Sequence, residues 1–245
     1  MPLTGTLINI ALIAAGTAVG LLLKKLLPAR LKETVMQAVS LVVMFIGVCG
    51  AVAAATQAGA DGTLSTRYTL TMILSMVVGT VIGELCNIEG HLDRLAAAAQ
   101  KRFAGGEKST FAEGMVTATL LFCIGAMAVV GALDNGIRGS YDILLAKSII
   151  DGVAAAVLAS TLGVGVLFSV IPVFLYQGGI SLLGTLIEPL LTDAVIGQMS
   201  LVGSILICAV GLKMLGVKLK LGNFLPAVFM PILFDLILRL WELVF

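Results

Sequence analysis

Charge is scarce in this chain: only 12% of its residues are charged, about half the share of a soluble globular domain. That excludes a molecule wrapped in water on all sides. No long basic run is present and the net charge is +1, which excludes nucleic acid as a partner. The one histidine, His91, leaves no two-histidine metal site within a single chain, so no metal and no cofactor are expected. Gly-Lys-Ser/Thr phosphate loops and Gly-x-Ser-x-Gly elbows are missing, and Ser160-Thr161 has no base placed to activate it. No catalytic residue is assigned, and an enzyme is not expected. Of the four cysteines, Cys49, Cys123 and Cys208 lie in apolar surroundings and Cys86 ends an apolar run, which is neither metal-ligand spacing nor a secreted disulfide pattern.

What is present is apolar sequence, 59% of the chain. Crossing a hydrocarbon core of roughly 30 Å takes about 20 apolar residues. Such segments recur at about 6–24, 34–56, 67–86, 110–133, 143–169, 194–213 and 223–244. The first reads as a retained helix, because no basic residue precedes it. The expectation is an all-α, polytopic helical bundle in one transmembrane domain over residues 1–245, with about 7–8 spans.

The stretch 170–191 holds "FLYQGGISLLG", with Pro172 before it and Glu188-Pro189 after it. Glycine and proline loosen a helix, so this stretch is expected to be a broken or re-entrant segment with its break at Gly178-Gly179. Basic residues favour a crossing. Lys24, Lys25, Arg30, Lys32, Arg94, Lys101, Arg102, Lys108, Lys213, Lys218 and Lys220 share one side if the segment crosses, which is 11 of the 15 basic residues. That side is read as cytoplasmic and the amino terminus as outside.

"AAGTAVGLLL" and "MVVGTVIGEL" share Gly-Thr-x-x-Gly, at Gly16 to Gly20 and Gly79 to Gly83. "SLVVMFIGVCGAV" and "TLLFCIGAMAVVGAL" match as their partners, aligning Gly47 with Gly125. The hairpins at about 6–56 and 67–133 therefore read as internal repeats, a common device in transporters. Small residues at that spacing let backbones approach within the chain or between subunits, and a homodimer is the expected oligomer.

Polar groups inside spans are costly and point to function or to pairing. Asp151 lies four residues after Lys147 on one helix face, so the two can neutralise each other, or Asp151 can receive a cation or proton. Gln177 beside loosened glycines offers an amide and carbonyls to a solute. With Tyr176, Gly178, Gly179, Asn9 and Asn223 these form the expected path of a small ion, Na+ or H+, or of a small polar solute; for the two asparagines helix capping and interhelical bonding are the competing roles. Asp235 and Arg239 read as a structural pair, and Asp134-Asn135-Gly136 as a turn.

Ordered motifs along nearly the whole chain carry a resemblance: "GTLIN", "FCIGAMAVVGALDNGIRG", "LLAKSIIDGV", "STLGVGVLFSVIP", "YQGGISLL" and "NFLPA". The chain resembles the uncharacterised bacterial inner-membrane proteins typified by YqgA and YdfK. The resemblance implies a plasma-membrane location and a family of unknown function that bears the label sodium channel or pump. Matching polar or flexible positions are Asn9, Asp151, Gln177, Gly178 and Asn223. The rival reading is a non-transporting scaffold or signalling partner, using its glycine-rich helices for assembly and the segment 87–110 to bind another protein. The convergence of the polar groups decides between them.

Overall fold

The computed structural model describes residues 2–26, 28–58, 64–91, 94, 110–123 and 126–244. Long helices run over Thr4–Leu26 (α1), Ala29–Ala55 (α2), Thr69–Leu85 (α3), Thr110–Cys123 (α4), Ala126–Ile137 (α5) and Asp142–Leu162 (α6). They are followed by Gly165–Phe168 (α7), Val170–Leu182 (α8), Gly184–Ile187 (α9), Asp193–Met214 (α10), Leu221–Phe224 (α11) and Met230–Val244 (α12). A small antiparallel hairpin, Thr56–Ala58 (β1) with Leu64–Thr66 (β2), joins α2 to α3. Among the described residues six helices are long and apolar enough to cross a membrane, or up to seven if the bent pair α4 and α5 is one span. The 17-residue α3 covers only about 26 Å.

Two helix pairs organise the bundle, and glycine sets both. A Cβ on Gly16 would sit 2.0 Å from the Gly152 carbonyl oxygen, and one on Gly20 would sit 2.3 Å from that of Ala156. Only hydrogen fits there, so α1 and α6 touch backbone to backbone. Gly5 lies against Leu144 at one end and Lys24 against Gly163 at the other, so the two helices run parallel. Gly47 and Gly50 meet Cys208 and Ser204, while Gly211 meets Met44, so α2 and α10 run antiparallel.

These contacts settle the path of 170–191. Gly165 backs onto Phe111 near the Lys24 end of α1, whereas Gly178 lies against Leu3 and Ser181 against Gly136 at the opposite end. The segment crosses the bundle. Its interruption, however, is at Leu183, where α8 stops before the short α9, and not at Gly178-Gly179, which continue the helix without a break. Within apolar surroundings the helical N–H and C=O groups have no competing water, so two glycines do not melt the helix.

Other boundaries also differ from expectation. The apolar run 110–133 is two helices bent by 63°. The run 143–169 ends at Leu162, because Gly163 at φ 78° takes a left-handed backbone. The run 223–244 starts as α11 and a 3-10 turn, Leu225–Phe229, before α12; Pro226, lacking an N–H, sits in that turn's first positions. Gly125 and most of the proposed loop 87–110 lie outside the described residues.

Candidate functional site

Three helices place their polar side chains together. Asn9 is on α1, Asp151 is the tenth of the 21 residues of α6, and Gln177 is on α8. Asn9 and Gln177 are fully buried, and Lys147 and Asp151 are 5% exposed. The cluster lies in the half of the bundle nearer the Gly5 end. Lys147 Nζ donates to Asp151 Oδ2 across one helical turn, forming a buried ion pair. Asn9 Nδ2 donates twice, to Asp151 Oδ2 at 3.1 Å and to Gln177 Oε1 at 3.0 Å.

The charge of Asp151 orients the whole chain of bonds. An ionised carboxylate only accepts, so Asn9 must turn its NH2 toward Asp151. That same NH2 reaches Gln177, which must then present its oxygen. Asn9 Oδ1 and Gln177 Nε2 are left facing away, buried and without a partner among the described residues. Thr6 Oγ1, one turn before Asn9 on α1, is likewise buried and unpartnered. Native interiors rarely leave such atoms unsatisfied, because each costs about 1–3 kcal/mol. Cys123 on α4 is within electrostatic reach of Lys147 and Asp151, and Tyr176 within reach of Cys123.

Of the residues singled out in the sequence, Asn9, Asp151 and Gln177 come together and Tyr176 flanks them. Gly178 is buried, and Gly179 has no heavy atom within 4 Å of where its Cβ would be. Gly79 and Gly83 pack on Ala227 and Asn223, so both Gly-Thr-x-x-Gly motifs serve contacts inside the chain. Asn135 is in the last turn of α5 rather than a loop turn; fully buried, its Oδ1 accepts the otherwise orphaned first-turn N–H of Gly5 at 3.2 Å. Asp235 and Arg239 form an ion pair at 2.7 Å, and Arg239 also donates to the Pro189 carbonyl.

Asn223 belongs elsewhere. At the Lys24 end it donates to Glu84 and accepts the Glu89 N–H at 2.8 Å, and makes no side-chain cap of its helix. Glu84 also binds Lys220, and Glu89 binds Lys213 at 2.8 Å and the Gly222 N–H. A cavity of about 610 Å³ opens beside this network, lined among others by Glu89, Glu113, Thr117 and Lys218. Sequence reading used the lysines as side markers and overlooked Glu84 and Glu89. Glu84 in the last turn of the 67–86 run and Glu89 just after it, both at the lysine-rich side, were the available signal.

The profile of the family described as "Protein of unknown function (DUF554)" matches residues 4–236. The chain belongs to this family. Relatives include the uncharacterized membrane protein YdfK of Bacillus subtilis, 33% identical over 228 residues, covering 93% of each chain. The uncharacterized protein YqgA of Escherichia coli is 30% identical over 228 residues, covering 91% of this chain and 92% of its own. No solved structure matches. The family thus fixes a kinship, and the membrane description of its Bacillus member agrees with the apolar helices here.

Proposed function

We propose that the chain is a transport protein of the bacterial inner membrane, a channel or secondary transporter passing a small ion, Na+ or H+, or a small polar solute. The observation that carries this reading is the convergence of Asn9, Asp151, Lys147 and Gln177 from three helices on one buried point where polar atoms find no partner among the described residues. A scaffold that used amides only for packing would satisfy them, since unsatisfied groups in hydrocarbon weaken the assembly. In this proposal the Lys24 end, where Lys213 and Lys220 also lie, faces the cytoplasm, and the amino terminus is outside. Repeated hairpins and a homodimer remain part of the proposal, although the matched glycine faces are covered by the chain's own helices. The protein is not an enzyme on this reading.

The test is flux into liposomes holding purified protein, with Na+, K+, H+ and uncharged solute gradients imposed one at a time. Flux that falls in Asp151→Asn and Gln177→Ala supports the proposal. Absence of protein-dependent flux for every species sinks it and leaves the scaffold.

A further inference from the structure

Resting on the transport reading, we infer that the site formed by Asn9 and Gln177, with Thr6 one helical turn from Asn9 on α1, takes a small neutral solute that both donates and accepts hydrogen bonds, not a bare cation or anion. Lys147 and Asp151 contact each other and are both 5% exposed, so the site is neutral as it stands. A cation arriving there meets the Lys147 ammonium and the free N–H donors of Gln177 Nε2; an anion meets the Asp151 carboxylate and the free oxygen Asn9 Oδ1. Either adds net charge where, among the described residues, none remains to balance it, which is costly in a buried site.

Neutral chemistry fits instead. Because Asp151 fixes the direction of both amides, the free atoms are one acceptor, Asn9 Oδ1, and one donor group, Gln177 Nε2, with the Thr6 hydroxyl able to do either. The oxygen and nitrogen of one amide are about 2.3 Å apart. Around the 3.0 Å bond joining the side chains, the free oxygen and free nitrogen are therefore no more than roughly 7.6 Å apart. Bridging that gap takes one solute of a few heavy atoms with two hydrogen bonds of about 2.9 Å each, admitted as the helices part, since both atoms are fully buried as the structure stands. The same logic explains why an ion pair stands beside an uncharged site: Asp151 aims the amides, and Lys147 cancels the charge that Asp151 brings.

The experiment uses the full chain in liposomes, with urea, acetamide and glycerol followed by stopped-flow light scattering and Na+, K+ and H+ by indicator dyes. The expected result is urea, acetamide or glycerol flux above protein-free vesicles, with no cation flux. That flux drops at least roughly tenfold in Gln177→Glu, which keeps the shape of the side chain and replaces the free NH2 by a carboxyl oxygen. Thr6→Val, which leaves the amide bonds in place, serves as a second variant should Gln177→Glu fail to fold, and is expected to lower the same flux. Cation flux that depends on Asp151, with none of the three neutral probes moving, overturns this inference and leaves the transport reading standing. No protein-dependent flux of any species overturns both.

Discussion

Asp151 acts at a distance through two amides, and its first consequence is energetic. Removing one partner of a buried ion pair strands the other, at a cost of about 3–5 kcal/mol, whereas replacing both by apolar groups can be neutral. Lys147→Met is therefore expected to lower thermal stability in detergent sharply, and Lys147→Met with Asp151→Leu to recover much of that loss. Thermal unfolding followed by circular dichroism checks it; equal stability of single and double variants would mean that the pair does not form. Asn223 makes a second residue-scale prediction. Asn223→Ala leaves the Glu89 N–H and one Glu84 oxygen without their partner, and a loss of about 1–3 kcal/mol is expected in the same measurement.

At the scale of helices, the α1 and α6 pair carries the site, since it brings Asn9 to Asp151. Gly16→Leu puts a side chain into the Gly152 backbone and must push the helices apart. Flux is expected to vanish, and a disulfide engineered across the pair lower down should then no longer form; its formation at the original rate would contradict the close crossing. In α8 the reverse holds. Gly179 faces open space, so Gly179→Ala is expected to leave stability within about 0.5 kcal/mol of the original or raise it, as exposed helical Gly→Ala commonly does.

For the whole molecule, sidedness is the exposed prediction. A cysteine at Lys218, in the loop after α10, should react only from the cytoplasmic side of inverted or right-side-out vesicles, and labelling from outside would reverse the proposed orientation. How much of this was legible in the chain varies with the physics that fixes each feature. Most spans were legible, because apolar length decides them, although the run 67–86 yields only the 17-residue α3, and so was the Lys147 and Asp151 pair, a matter of local helical spacing. The bend after Cys123, the β1 and β2 hairpin and the position of the break at Leu183 were not, since each depends on what packs alongside. Gly178-Gly179 shows the difference: composition reads as a break, and the apolar surroundings keep it helical. The meeting of Asn9 with Gln177 spans 168 residues and no local pattern encodes it.

That separation has a consequence for how the protein is made. Asn9 and Asp151 are 142 residues apart, so at a synthesis rate of about 5–20 residues per second α1 enters the bilayer roughly 7–30 s before its partner exists. During that interval the Asn9 amide and the bare glycine face of α1 lack the α6 partners they meet in the finished fold. A nascent chain halted before Asp142 would stay in that unfinished state, and its α1 is expected to cross-link to the insertion machinery or to a membrane chaperone until α6 arrives to release it.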